Sequence, residues 1–92
     1  MLDFDKFDWD DGNWPKCGKH GLARHEIEAV FDDLGLVVAP DVAHSVDEQR
    51  WIAIGRSPLT GRWALVIFTQ RGRNVRPVSA RYMHRKEVLR YV

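Results

Sequence analysis

The sequence predicts an α+β domain with a mainly antiparallel sheet, and three observations carry that prediction. Strand-like runs are segregated from helical ones instead of alternating with them. Four runs with strand character, residues 36–39, 49–56, 62–70 and 75–81, follow one another with only loops and turns between them, as in a meander. Helical periodicity is confined to two stretches before the meander and one after it. The 92 residues allow one domain, 1–92, with a modest core, and 45% hydrophobic against 29% charged residues argues against disorder.

In order, residues 7–9 (Phe7, Asp8, Trp9) read as a short strand, preceded by a loose alternation at Leu2 and Phe4 and closed by a turn at Asp11-Gly12-Asn13. Pro15 suits the first turn of a helix, where its missing N–H costs nothing, and a short helix is expected over 16–20 with Gly21 as its cap. From Arg24 a second helix shows Ile27, Val30, Phe31 and Leu34 at three- and four-residue spacing and ends at Gly35. Pro40-Asp41 stops the first meander strand, and residues 42–48 read as a polar loop. Strand 49–56 alternates Arg50, Ile52, Ile54 and Arg56 against Trp51, Ala53 and Gly55. A hairpin loop at 57–61 leads to strand 62–70, whose unbroken apolar run from Trp63 to Phe68 predicts cover on both faces. Trp51 and Trp63 are expected in the core. Strand 75–81 contains Pro77, which donates nothing to a ladder, so this strand is an edge or is paired on one side there. A helix over about 83–92 carries Val88, Leu89 and Val92 as its apolar stripe.

Charge is distributed unevenly along the chain. From Arg50 onward nine arginines and one lysine face a single acid, Glu87, while the acids crowd the first half, beginning with Asp3, Asp5, Asp8, Asp10 and Asp11. A net charge of +1 hides this asymmetry, and a basic half implies an anionic partner, with nucleic acid first. No stretch is long and apolar enough for a membrane helix, and the acidic N-terminus lacks an apolar signal core. One cysteine, Cys17, excludes an intramolecular disulfide and suits a reducing cytoplasm.

Arginine presents a planar fork that matches phosphate oxygens. Arg50, Arg62 and Arg71 bracket strands, and Arg81 leaves the last strand beside Tyr82. Charges also commonly blunt sheet edges, which accounts for some of these residues. A second basic cluster is Lys16, Lys19 and His20, with His20 suited to move protons near neutrality; a lone histidine at a helix end is more often only a surface residue. Trp9 and Trp14 are placed to flank a site. Cys17 and His20 have a spacing a metal can use, but His25, His44 and His84 supply no paired spacing to complete four ligands, so no metal and no cofactor are expected. Phosphate-cradling glycine loops and hydrolase or zinc-protease motifs are absent from the sequence.

Several pieces together resemble a known family across nearly the whole chain: Phe7 to Asn13, Lys16-Cys17 with Lys19-His20-Gly21, Glu26-Ile27-Glu28 with Val30-Phe31, Ala43-His44-Ser45, Glu48 to Arg56, Gly61-Arg62, Phe68-Thr69, and Arg76 to Met83. The ordered set resembles the BrnT toxins, ribonucleases of type II toxin–antitoxin pairs. The resemblance implies a RelE-like fold, metal-independent RNA cleavage, and neutralisation by a BrnA-like ribbon-helix-helix antitoxin in a complex, expected as a heterotetramer, that binds its own operator DNA. The expected roles follow: Arg81, Arg50 and Lys19 stabilise charge on phosphorus and His20 moves protons, while Lys16, Arg62, Arg71, Tyr82 and Trp9 contact RNA, Trp9 by stacking a base. Lys19 and His20 are expected to meet Arg81 and Tyr82 at one end of the sheet. A catalytically inactive nucleic-acid or antitoxin-binding module needs the same basic face, and a third reading, a metal-dependent enzyme, requires that chelation abolish activity.

Overall fold

The computed structural model describes residues 3–91; Leu2 and Val92, assigned above to a strand alternation and a helix stripe, lie outside them. The elements follow the predicted order: β1 (Lys6–Phe7), α1 (Trp14–Gly18), α2 (Arg24–Val30), β2 (Val37–Pro40), a 3₁₀ turn at Val42–His44, β3 (Trp51–Arg56), β4 (Trp63–Arg71), β5 (Asn74–Tyr82) and α3 (Arg85–Tyr91). The strands form one five-stranded sheet, β1-β5-β4-β3-β2. Strands β2 to β5 are an antiparallel meander, whereas β1 lies parallel to β5, so the sheet is mixed. The N-terminal strand covers Lys6–Phe7 where residues 7–9 were expected. After Asp8 donates its N–H to Val75 (2.8 Å), the chain leaves the sheet, and the Trp9 indole turns to Glu28 (2.8 Å).

Helices α1 and α2 cover one face of the sheet. Cys17, Leu22, Ile27, Val30 and Phe31 pack on Ala53, Ala64, Val66, Phe68, Val75 and Ala80, with the half-buried Trp51 and Tyr82 at the margin. Burying each large side chain contributes roughly 1.5–3 kcal/mol. The small strand residues allow the helices to approach closely. A Cβ at Gly55 would stand 2.9 Å from the Val30 carbonyl oxygen, so only glycine lets the end of α2 rest on β3.

Several elements differ from the sequence prediction. Helix α1 starts at Trp14, because the Asp10–Asn13 turn feeds it directly: Trp14 donates to Asp10 (3.0 Å) and Cys17 to Asn13 (3.2 Å). Gly21, beyond its end, has φ +95°. Helix α2 stops at Val30 instead of running to Leu34. The N–H groups of Phe31, Asp32 and Asp33 each bond three residues back, and the Asp33 carboxylate accepts from Gly35 (3.0 Å) and Arg56 (2.7 Å), leaving Leu34 93% exposed. Trp63 is half-buried beneath the Arg56 guanidinium, not in the core. The expected stripe of α3 is not buried either: the helix has no buried residue, and Leu89 is 76% exposed.

Pro77 behaves as its chemistry requires. β1 reaches only Asn74 and Val75, so at Pro77 strand β5 pairs with β4 alone. The Asn13 side chain replaces the missing strand, donating to the Pro77 carbonyl (2.8 Å). Here β5 also has a bulge: Phe68 pairs Pro77 and Ile67 pairs Ser79, so Val78 is extra.

Candidate active site

The face of the sheet away from α1 and α2 holds a cavity of about 380 Å³. Ile52, Leu65, Ile67 and Val78 form its apolar lining, and Arg50, Arg81, Ser79, Asp41, His44 and Tyr91 supply the polar groups. Arg50 reaches it because it precedes β3 by one residue, on the parity of Ile52 and opposite the core-packed Trp51. Arg81 reaches it because of the bulge. Without Val78, the alternation begun at Val75 and Pro77 would turn Arg81 toward the helices; the extra residue puts Ala80 and Tyr82 there and Arg81 opposite, beside Leu65.

Arg81 is held by α3. Its two terminal nitrogens donate to the two carboxylate oxygens of Glu87, both at 2.7 Å. This bond, assisted by the His84 backbone N–H, lowers the Glu87 pKa from 4.5 to about 2. Because the folded value lies below the free one, the attachment of α3 is complete above pH 4.5 and weakens as pH falls through about 2. On acidification, the amide resonances of α3 should shift with a midpoint near that lower value, and in Glu87→Gln they should already be displaced at neutral pH. Identical α3 spectra for parent and variant at pH 7 would show that the ion pair does not hold the helix.

The sheet divides the remaining predicted residues. Tyr82 lies on the helix side, where its hydroxyl donates to Glu26 of α2 and Arg62 stacks 3.5 Å from its ring centroid. That hydrogen bond raises the Tyr82 pKa and lowers that of Glu26. Lys16, Lys19 and His20 are exposed on α1 and the turn after it. No hydrogen bond or ion pair among the described residues joins Lys19 or His20 to Arg81 or Tyr82. Cys17 points from the same helix into the core, where desolvation pushes its thiol to about 11, so it faces away from the exposed His20. Trp9 packs edge-on against Trp14 (5.6 Å), and Arg24 lies over both rings.

Much of the charge asymmetry is neutralised internally. Arg73 pairs with Asp3 and Asp5, Arg76 with Asp8 and Asp10, and Arg71 with Glu48. The acidic N-terminal segment is thus the partner of the basic β5. Arg50 takes part in none of these pairs. One constellation escaped the sequence reading: His44 Nδ1 lies 2.7 Å from Asp41 Oδ2. The available signal was the Asp-x-x-His spacing directly after Pro40, in a segment expected to be only a polar loop. Among the described residues, no group of three or more histidine, cysteine or acidic side chains is placed to hold a metal ion, and no helix is long and apolar enough to cross a membrane.

The apolar-floored sheet face thus brings Arg50, Arg81, His44 and Tyr91 around one cavity, and its guanidinium groups suit an anionic ligand. The sequence profile of the ribonuclease toxin BrnT, of type II toxin–antitoxin systems, matches residues 9–87. The chain therefore belongs to the BrnT family of ribonuclease toxins, whose systems pair the toxin with a protein antitoxin. None of the curated proteins compared with it matches.

Proposed function

We propose that this toxin cleaves RNA without a metal ion, by attack of a ribose 2′-hydroxyl on the adjacent phosphorus, within a RelE-like ribonuclease fold. The observation that carries this reading is the convergence of Arg50 and Arg81 on one cavity. In the reaction the 2′-oxygen loses its proton and bonds to phosphorus, and the bond from phosphorus to the 5′-oxygen breaks. The 5′-oxygen takes a proton, leaving a 2′,3′-cyclic phosphate and a 5′-hydroxyl. Charge builds on the non-bridging oxygens, where fixed guanidinium groups are most effective. Arg50 and Arg81 fill that role. Lys16, Lys19 and His20, exposed on α1 and the turn after it, and Arg62, stacked on Tyr82, guide the flanking strand.

The antitoxin is of the BrnA-like ribbon-helix-helix kind. It covers the cavity with an acidic or apolar segment, and two toxins and two antitoxins form the complex that binds operator DNA. The cytoplasm, where RNA is exposed, is the site of action. The test is to incubate the purified protein with RNA, with and without EDTA, and to analyse the ends. Cleavage that survives chelation and leaves cyclic phosphates is expected. Activity abolished by EDTA points to a metal-dependent enzyme, and binding without cleavage to an inactive module.

A further inference from the structure

We propose that His44, positioned by Asp41, is the group that takes the proton from the 2′-hydroxyl. This rests on the RNA-cleaving reading above and assigns the proton-transfer step within the same cavity.

The loop that carries the pair is closed on itself. Asp41 donates its N–H to the Arg50 carbonyl (2.9 Å), the Arg50 N–H bonds the Ser45 hydroxyl oxygen (2.8 Å), and that hydroxyl donates to the Asp41 carbonyl (2.6 Å). The 3₁₀ turn Val42–His44 between these anchors brings residues 41 and 44 onto one side. Asp41, His44 and Arg50 are thus parts of one hydrogen-bonded unit, and all three line the cavity with Arg81.

Burial distinguishes this pair from a casual surface contact. The Asp41 side chain is 5% exposed, whereas His44 is 64% exposed. A carboxylate so removed from water requires a partner that donates to it. His44 does so through Nδ1, which leaves Nε2 free for a substrate. A histidine oriented by a buried carboxylate, with its second nitrogen available, is the arrangement by which proteins hold an imidazole ready to accept a proton. The neighbouring charges are Arg50 and Arg81 in the cavity, and Asp47 and Glu48 in the adjoining cleft that His44 and Arg50 also line. His20 is exposed beyond α1, with the sheet between it and the two arginines.

In the step, Nε2 takes the 2′-hydroxyl proton as the 2′-oxygen attacks phosphorus, and Asp41 stabilises the imidazolium. Arg50 and Arg81 hold the non-bridging oxygens. Water protonates the departing 5′-oxygen, and the imidazolium later releases its proton to solvent.

The experiment is single-turnover cleavage of a defined RNA oligonucleotide with added imidazole. His44→Ala should lose roughly 10²–10⁴-fold in rate, the usual cost of removing a general base. Free imidazole should restore part of that loss in His44→Ala but none in Arg81→Ala. Asp41→Asn should lower kcat with little change in KM, the signature of a positioning residue. If His44→Ala cleaves at the parental rate, or if imidazole rescues His20→Ala instead, the assignment to His44 is overturned while RNA cleavage stands. A parental protein that cleaves no RNA overturns both.

Discussion

Replacing Arg81 with alanine should lower single-turnover RNA cleavage by about 10²–10³-fold, the cost expected for removing a charge-stabilising donor aimed at the transition state. The variant also strips Glu87 of its bidentate partner, leaving a carboxylate beside a cavity that must receive phosphate. Part of the loss in Arg81→Ala is therefore repulsion, and the double variant Arg81→Ala/Glu87→Gln should recover that part but not the remainder. Arg81→Lys keeps the charge and loses the fork, so it should fall between the parent and alanine. Measuring the four proteins on one oligonucleotide separates the contributions. Equal rates for the parent and Arg81→Ala would remove Arg81 from the reaction. Glu87 takes one N–H from each terminal nitrogen of Arg81, so α3 is anchored to the same side chain that lines the cavity.

The largest loss of stability is expected at Asn13. This side chain is 3% exposed and makes three hydrogen bonds: its amide nitrogen donates to the Asp8 (2.9 Å) and Pro77 (2.8 Å) carbonyls, and its oxygen accepts from the Asp10 N–H (2.8 Å). Asn13→Asp keeps the shape but turns a carboxylate oxygen toward two carbonyls, deep in the fold. With a buried and a half-buried acceptor losing their donor and a charge added, unfolding free energy should fall by about 2–4 kcal/mol. For a domain of this size the melting temperature should drop by roughly 10–20 °C. A thermal melt followed by far-ultraviolet circular dichroism reads this directly. A curve superimposable on the parent's would mean that the β5 bulge stands without the Asn13 clamp, and that Pro77 needs no substitute for the missing strand.

The meander, the helix order and the one-sided pairing at Pro77 were all legible from local chemistry. Each depends on a residue's own backbone limits or on the side-chain period of a strand. Gly21, expected to cap α1, instead lies past its end, where Lys19 is the cap. Leu34 and Leu89 misled because an apolar residue at helical spacing is buried only if another element lies opposite it. α2 is cut short by the Asp33 carboxylate, and α3 is attached by an ion pair in place of an apolar face. The arginines misled in another way. Their number implied an external anion, but for Arg73 and Arg76 the anion is the chain's own N-terminus, a pairing that requires β1 to lie along β5.

Residue types and their order were enough to establish the α+β class, the family resemblance and Arg50 and Arg81 as candidates. Which of the candidates share a cavity depended on the assembled sheet. Side chains on a strand alternate, so one extra residue reverses every position after it. Val78 is that residue. It sends Arg81 to the cavity with Arg50 and Tyr82 to the helix side with Glu26, and no periodicity in the sequence marks the inserted position. His44 and Asp41 entered for a related reason: their value lies in the burial of one partner, which arises only when the loop closes back on Arg50.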